Sequence, residues 1–238
     1  MTLISTSTKR ILIIIPAYNE EDTITSVIKE IREKIAHADI CVVNDGSSDS
    51  TAHVVSRLGV HAVNLPFNMG IGAAVQTGFL YAKINDYDYA IQVDADGQHN
   101  ISYINALITL LDNDSLDIVS GSRFLERSGY RSSFLRRIGI LWFELMNKII
   151  TGQRITDSTS GFRLYNRRAI AFFSKNYPED YPEPEVIIVA KKAGFCVREI
   201  PVTMRERQGG ESSIKGWKVV HYMIKVVLSM IMQSLKGE

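Results

Sequence analysis

Residues 89–99 read YAIQVDADGQH, an apolar stretch that leads directly into two aspartates one residue apart. The apolar part is typical of a buried strand, and the aspartates follow where that strand reaches the surface. Neighbouring carboxylates repel each other and resist desolvation, so a positive charge should compensate them. Because side chains alternate along an extended chain, we predict that Asp94, Asp96 and Gln98 project to one side. Their oxygens suit Mg²⁺ or Mn²⁺; the alternative interpretation is a solvated acidic turn with Asp96 and Gly97 at its corner.

The sequence on either side of this stretch repeats an order of strand, loop and helix. Predicted strands cover residues 11–15, 39–43, 60–65, 89–93 and 116–120. Predicted helices lie near residues 24–35, 51–58, 68–83 and 101–111. This order is typical of an α/β fold with a mostly parallel sheet and helices on both faces. Ligands bind beyond the carboxyl ends of such strands, so we expect the polar segments PAYNE (16–20), NDGSSD (44–49) and DADGQ (94–98) to form one crevice.

Composition limits the possible classes of protein. The chain has 238 residues, 45% of them hydrophobic, and a formal net charge of +1. That length suits one α/β domain, and the balanced charge argues against a nucleic-acid partner. Cys41 and Cys196 lie in apolar runs and are interpreted as buried thiols in a reducing compartment. We find no signal peptide and no segment with the ~20 apolar residues that a spanning helix needs.

The segment NDGSSD offers a second candidate site residue. Asp45 follows the second predicted strand, where acidic residues of nucleotide-binding folds accept hydrogen bonds from a ribose or base. The segment also allows a structural interpretation, because Asp49 or Ser50 could cap the helix that follows.

The ordered set of motifs resembles one known family. PAYNE, NDGSSD, Asn68-Met-Gly-Ile-Gly72, DADGQH, SGFR and RERQGGESS occur in the order found in family 2 glycosyltransferases of the GT-A fold. Within that family, the series DADGQH, GSRF, DSTSGFR and RERQGGESS is most similar to the polyprenyl-phosphate glycosyltransferases of the dolichol-phosphate mannosyltransferase type. The resemblance covers about residues 10–217. It implies a Rossmann-like catalytic domain over residues 1–216 and leaves an amphipathic C-terminal helix at 217–238.

The resemblance also implies roles for individual residues on the donor side. The nucleoside of a UDP- or GDP-sugar would contact Pro16, Ala17, Tyr18, Glu20 and Asp45. Asp94, Asp96 and Gln98 would hold the metal that neutralises the diphosphate, with Asp96 as the central catalytic group. A loop that closes over the diphosphate would contribute Arg205 and Arg207.

Arginines dominate the expected acceptor side. The cluster at residues 123–137 suits a phosphate acceptor, because guanidinium groups bind phosphate oxygens in pairs. By resemblance, Arg123 and Arg131 would approach the phosphate, and Arg163 is a further candidate. A solvated basic face is the alternative interpretation.

The segment YPEPE (181–185) departs from the mannosyltransferase pattern. A lipid phosphate with a second pKa near ~6 is already a dianion at neutral pH and needs no strong base. A sugar hydroxyl would need one, and Glu183 or Glu185 could serve as that base. The structural alternative is a rigid acidic loop before a helix that starts at Val186.

Two apolar stretches favour membrane contact. Residues 217–236 show a narrow basic and polar stripe on an otherwise apolar helix, and residues 138–150 are apolar and follow the arginines. We therefore expect a peripheral location at the cytoplasmic face of a membrane, through the lipid surface or a small membrane protein; ordinary core helices or a homo-oligomer are the alternatives.

The first functional hypothesis is an inverting transfer of a hexose to undecaprenyl or dolichyl phosphate. The second hypothesis keeps the donor but uses a saccharide hydroxyl of a lipid-linked acceptor. The third is a non-catalytic nucleotide-sugar-binding subunit of a membrane complex, which the intact Asp94, Asp96 and Gln98 disfavour.

Overall fold

A computed structural model describes residues 9–113, 115–125, 145, 148–149, 152, 155–179, 181–205, 225, 228–229 and 232. The strands of this part of the chain are β1 Ile11–Ala17, β2 Asp39–Asn44, β3 His61–Asn64, β4 Tyr89–Gln92, β5 Ile118–Ser122, β6 Arg163–Asn166 and β7 Val197–Pro201. The helices are α1 Ile24–Lys34, α2 Thr51–Ser56, α3 Ile71–Ile84, α4 Ile104–Asn113, α5 Arg167–Asn176 and α6 Pro182–Lys192.

The strands form a seven-stranded sheet in the order β3-β2-β1-β4-β6-β5-β7. Strands β1 to β4 pair in parallel, β5 pairs in parallel with β7, and β6 runs antiparallel between β4 and β5. The predicted mostly parallel α/β fold is therefore confirmed. The strands β6 and β7 were not predicted, and β5 covers residues 118–122 instead of 116–120. The helix predicted at 101–111 begins as a short 3₁₀ turn, Ile101–Tyr103, before α4.

Two hydrophobic layers enclose the sheet. Ile11, Ile13 and Ile15 of β1 pack toward the layer that includes α1 and α4, whereas Leu12 and Ile14 pack toward α3, α5 and α6. All five side chains are at most 3% exposed. A strand buried on both faces has no need of polar alternation, which explains the unbroken apolar run at residues 11–15.

The two cysteines differ in exposure. Cys41 in β2 is buried, and burial raises the pKa of its thiol to about 12. Cys196 is exposed, so the prediction of a buried thiol is wrong there. Phe195 and Val197 on either side are buried, and side-chain alternation turns Cys196 outward.

Within the described residues, no helix is sufficiently long and apolar to cross a membrane. Of the predicted C-terminal helix at 217–238, the structure describes residues 225, 228–229 and 232, all of them helical.

Candidate active site

The carboxyl ends of β1, β2 and β4 meet at one edge of the sheet. Ala17 pairs with Asn44, and Ile14 pairs with Gln92, so the three polar segments leave the sheet side by side. The expected convergence of PAYNE, NDGSSD and DADGQ is thus what the register produces.

Hydrogen bonds lock the first two of these segments together. The Asn19 Oδ1 accepts from the Ser48 backbone N–H at 2.9 Å, and Glu21 Oε2 accepts from Ser50 N–H at 2.8 Å. Asn19 takes a positive φ of 55°, a conformation that asparagine tolerates better than most residues. The N-cap residue of α2 is Ser50, which makes no side-chain cap hydrogen bond, whereas Asp49 just before it accepts from the backbone N–H of Thr51 at 2.9 Å.

The predicted nucleoside-binding residues differ in what they can offer. Pro16 and Ala17 are buried in β1, and the Ala17 carbonyl accepts from Asp45 N–H at 2.8 Å. Tyr18 is 46% exposed beside them. Glu20 accepts a hydrogen bond from Thr23 Oγ1 at 2.6 Å. The side chains of Tyr18 and Glu20 are therefore accessible to a donor. The buried side chains of Pro16 and Ala17 can only shape the surface on which the donor would lie.

Asp45 ties the second segment to the glycine-rich loop before α3. Its Oδ1 accepts from Met69 N–H at 2.7 Å and its Oδ2 from Gly70 N–H at 2.9 Å, and the residue is 4% exposed. The neighbouring Gly46 has φ +63°, and a Cβ there would lie 2.4 Å from the Phe67 carbonyl carbon. Asp45 therefore holds this loop in place, and its contact with a nucleoside stays a prediction.

The DADGQ segment is a turn and not a strand end. β4 stops at Gln92, Gly97 takes φ +76°, and Asp96 Oδ1 accepts from Gln98 N–H at 3.0 Å. The predicted alternation of Asp94, Asp96 and Gln98 along an extended chain is wrong, because the positive φ of Gly97 reverses the chain. The alternative of a turn with Asp96 and Gly97 at its corner describes the path of the chain, but this turn is not solvated, since Asp96 is only 7% exposed.

Buried polar groups surround the Asp94 carboxylate. Gln92 Nε2 donates to Asp94 Oδ1 at 3.1 Å, and His99 Nε2 lies 3.4 Å from Asp94 Oδ2. The Asp94 side chain is 34% exposed, whereas Gln92 and His99 are 1% and 3% exposed. Gln92 was not predicted as a site residue, because it lies inside a strand whose other residues are apolar.

Arg123 is paired inside the protein. Its Nε and Nη2 each donate to the Asp157 carboxylate at 2.7 Å, in a forked geometry. Burial raises the pKa of Asp157, but the hydrogen bonds and charge of Arg123 outweigh it, and the pKa lies below its ordinary value. Asp157 was missed by the sequence analysis because its partner lies 34 residues away.

Glu199 on β7 fixes the loop that carries Asp157. Its carboxylate accepts from the backbone N–H groups of Thr156 and Asp157 at 2.8 and 2.9 Å. Burial, and then the negative charge of Asp157, raise the pKa of Glu199 despite these hydrogen bonds. The loop before β6 is therefore attached to β7 through the partly buried carboxylate of Glu199.

Arg163 is buried at the start of β6. It is 1% exposed, and its Nη2 donates to the Ser158 carbonyl at 2.7 Å. Its Nε is buried without a hydrogen-bond partner. Contact between Arg163 and an acceptor phosphate stays a prediction, and it would require the phosphate to reach a buried guanidinium.

The YPEPE segment is helical. α6 begins at Pro182, four residues before the predicted start at Val186, and proline suits the first position of a helix. Glu185 is 5% exposed and accepts a hydrogen bond from Ser229 Oγ. Glu183 is half-buried, and burial followed by the charge of Asp94 raises its pKa, against a smaller opposing effect of Arg163. Of the two predicted bases, Glu183 is the one within electrostatic range of Asp94.

Arg205 is paired with Glu30 beside the DADGQ turn, and its contact with a donor diphosphate stays a prediction. Its two terminal nitrogens donate to Glu30 of α1 at 2.7 Å, and its backbone N–H donates to the Gln98 carbonyl at 2.9 Å. Arg205 therefore links α1 to the DADGQ turn. The predicted site residues Arg131 and Arg207 lie outside the described residues.

The donor set fits a hard divalent cation. Across the residues that the structure describes, no three His, Cys, Asp or Glu side chains cluster to hold a metal by themselves. Mg²⁺ commonly binds through one or two carboxylates, with substrate phosphates and water completing its shell. The carboxylates at the DADGQ turn are those of Asp94, whose side chain is 34% exposed, and Asp96, which is 7% exposed; their role as metal ligands stays a prediction.

Comparison with known proteins agrees with this arrangement. The family model described as "Glycosyl transferase family 2" matches residues 12–173. The chain belongs to this family. The predicted resemblance is confirmed, and it extends to transferases that are named for lipid-phosphate acceptors.

Two relatives and one structure illustrate the similarity. A dolichyl-phosphate beta-glucosyltransferase of Trichomonas vaginalis is 32% identical over 92% of this chain and 71% of the relative. A polyprenol monophosphomannose synthase of Mycolicibacterium smegmatis is 29% identical over 92% of this chain and 86% of the relative. The crystal structure of glucosyl-3-phosphoglycerate synthase from Mycobacterium tuberculosis with Mg²⁺ and UDP superposes with a TM-score of 0.72, at 18% identity, over 95% of this chain and 79% of that one. The last comparison confirms the GT-A fold.

Proposed function

We propose that this protein transfers a hexose from a nucleotide-diphosphate sugar to the phosphate of a polyprenyl lipid. The observation that carries the proposal is the match along 92% of the chain to two relatives whose names specify lipid-phosphate glycosyl transfer. The reaction would run at the cytoplasmic face of a membrane, with the protein bound peripherally.

The donor would lie across the carboxyl edge of the sheet. Tyr18 and Glu20 would face the nucleoside, and Asp45 holds the adjoining loop. The diphosphate would then reach the turn after β4. Asp94, Asp96 and Gln98 would hold Mg²⁺ or Mn²⁺ there, and such a cation, when bound, neutralises charge on a diphosphate leaving group.

The acceptor would approach from the side of β5 and β6. A phosphate monoester is a dianion at neutral pH, so it attacks the sugar carbon without a strong base, and direct displacement inverts that carbon. Arg123 lies on this side, where its forked pairing with Asp157 orients the guanidinium. The lipid phosphate would share the Arg123 guanidinium with Asp157, because phosphate and carboxylate oxygens both accept hydrogen bonds from its N–H groups.

A second candidate is transfer to a saccharide hydroxyl. One observation favours it: Glu183 lies near Asp94, and burial raises the pKa of Glu183, as suits a proton acceptor. In the first candidate reaction Glu183 has no proton to accept.

The test is a transfer assay with purified protein and Mn²⁺ or Mg²⁺. Radiolabelled UDP-glucose, UDP-N-acetylglucosamine and GDP-mannose are each incubated with undecaprenyl phosphate, and the organic extract is counted. We expect label in the extract from one donor, and none when the free polyprenol replaces its phosphate. No label with undecaprenyl phosphate, together with Glu183-dependent label when a lipid-linked saccharide is supplied as the acceptor instead, would contradict the first candidate and support the second.

A further inference from the structure

We infer that Gln92 and His99 are positioning residues that fix the Asp94 carboxylate before a cation binds. The inference rests on the proposed function, because Asp94 acts there as a metal ligand. Each carboxylate oxygen of Asp94 faces one of these two side chains, Gln92 at 3.1 Å and His99 at 3.4 Å. Both partners are buried and approach from the protein interior, which leaves the solvent side of the carboxylate open.

The amide of Gln92 has one possible orientation. Its nitrogen faces Asp94 Oδ1, which accepts, and its Oε1 faces the hydroxyl of Tyr177, which donates at 3.4 Å. Exchanging the amide nitrogen and oxygen would place two acceptors against each other at Asp94. Because Gln92 is 1% exposed, water cannot substitute for either contact.

The ring of His99 is oriented in the same way. Its Nδ1 accepts from the backbone N–H of Asp94 at 3.0 Å, so in this geometry the proton is on Nε2, which faces Asp94 Oδ2. The imidazole also packs 4.9 Å from the ring of Phe162, centroid to centroid. His99 therefore contacts both the backbone N–H and the carboxylate of Asp94.

Gly161 packs directly against Gln92 and Asp94. A Cβ at this position would lie 2.6 Å from Gln92 Nε2 and 3.4 Å from Asp94 Oδ1. Any side chain at position 161 would therefore displace the amide that contacts Asp94. This gives the glycine of the SGFR segment a role in positioning the carboxylate.

The physical effect of the contacts that Gln92 and His99 make with Asp94 is preorganisation of its carboxylate. Asp94 and Asp96 are like charges two residues apart, and unrestrained carboxylates would turn away from each other. The hydrogen bond from Gln92 and the close contact with the His99 ring hold the Asp94 carboxylate in one orientation, which reduces the ordering that cation binding must impose. Hydrogen-bond partners of metal-binding carboxylates typically change metal affinity about 10- to 100-fold when removed.

The experiment measures Mn²⁺ affinity directly. Free Mn²⁺ is followed by electron paramagnetic resonance during titration of the full chain in the presence of UDP. We expect Gln92→Met, which keeps the length but loses the donor, to raise the Kd about tenfold or more. Gly161→Ala should weaken binding similarly, and in a Gln92→Ala background it should add no further loss, because the amide that it displaces is absent.

A matched control comes from the opposite end of the sheet. Tyr87→Phe removes a side-chain hydrogen bond to the Asp39 carboxylate, 2.7 Å long, and should leave the Kd for Mn²⁺ unchanged. Thermal melting monitors the folding of each variant. Gly161→Ala lies on a different segment from Gln92 and tests the inference independently if Gln92→Met does not fold. Wild-type Mn²⁺ affinity in both variants overturns the inference while the metal site stands. Absence of Mn²⁺ binding in the wild type overturns the metal site and the inference together.

Discussion

At the scale of single residues, Asp96 combines a structural and a proposed chemical task. Its Oδ1 closes the turn by accepting from Gln98 N–H at 3.0 Å, and an asparagine could keep that hydrogen bond. Asp96→Asn should therefore fold normally but lose the negative charge that a cation needs. We expect turnover in the lipid-extraction assay to fall about 10²- to 10³-fold. Asp22→Asn, an exposed carboxylate in the PAYNE loop, is the control and should keep full turnover; wild-type turnover in Asp96→Asn would remove Asp96 from the metal site.

Arg123 and Asp157 form a pair whose loss is expected to affect stability. The Asp157 side chain is fully buried and the Arg123 side chain is 19% exposed. Arg123→Ala leaves a buried carboxylate without its counter-charge, which typically costs about 3–5 kcal/mol. We expect a decrease of about 3 kcal/mol in the free energy of unfolding at pH 7, measured with urea. The double variant Arg123→Met/Asp157→Leu should recover most of that decrease, because no charge is then left unpaired.

The same pair has a defined pH dependence. The pKa of Asp157 is lowered in the folded protein, so its contribution is complete above the unfolded value of about 3.9 and is lost as the pH falls through the folded pKa. In Arg123→Ala, burial without the counter-charge raises the pKa of Asp157, so the stability difference between the wild type and the variant should be largest near neutral pH and shrink as the pH falls toward about 3. A difference that stays constant into acid would show that the lost stability is packing and not charge.

At the scale of elements, the contact of α3 with β1 depends on Gly78. A Cβ on Gly78 would lie 2.3 Å from the Cγ2 of Ile14, a side chain that is 0% exposed in the sheet. Alanine is intrinsically better than glycine inside a helix by about 0.5–1 kcal/mol. Overpacking nevertheless costs about 1–3 kcal/mol, so we expect Gly78→Ala to lower the melting temperature.

The control for Gly78 lies two residues further along the same helix. Leu80 is 45% exposed, and Leu80→Ala tests helix propensity without a change in buried packing. Its melting temperature should stay close to that of the wild type. A Gly78→Ala variant as stable as the wild type would mean that α3 shifts freely on the sheet.

At the scale of the whole molecule, the sequence predicts the parallel half of the sheet better than the rest. Strands β1, β2 and β4 are largely buried, mostly apolar runs followed by polar turns, so their local sequence pattern identifies them. β6 begins at a buried arginine, Arg163, and no local pattern predicts an arginine in a sheet interior. The pairings of Arg123 with Asp157 and of Arg205 with Glu30 join residues 34 and 175 positions apart, so only the folded chain reveals them.

In the candidate site as well, local patterns identify some residues, whereas only the folded chain reveals the contacts of the others. The PAYNE, NDGSSD and DADGQ segments come to the expected edge of the sheet, because that edge is where parallel strands end. Gln92 lies outside the motifs, and His99 and Gly161 lie within two of them, but their contacts with Asp94 and Gln92 join separate parts of the chain and are visible only in the folded protein.

Attachment to a lipid surface is a property of the whole molecule and can be tested on the described residues of the C-terminal stretch. Leu228 and Met232 lie four residues apart on helical backbone and are 55% and 63% exposed, and Lys225 is exposed as well. Exposed apolar side chains next to a basic one suit the interface of an anionic membrane. We expect the protein to co-sediment with vesicles that contain phosphatidylglycerol, and Leu228→Ser/Met232→Ser to weaken binding about tenfold or more, since burial of such side chains stabilises by roughly 1.5–3 kcal/mol each. Ile84→Ser is the matched control, because Ile84 on α3 is 70% exposed but belongs to another surface. An equal loss in both variants, or no loss in the double variant, would contradict attachment through this helix.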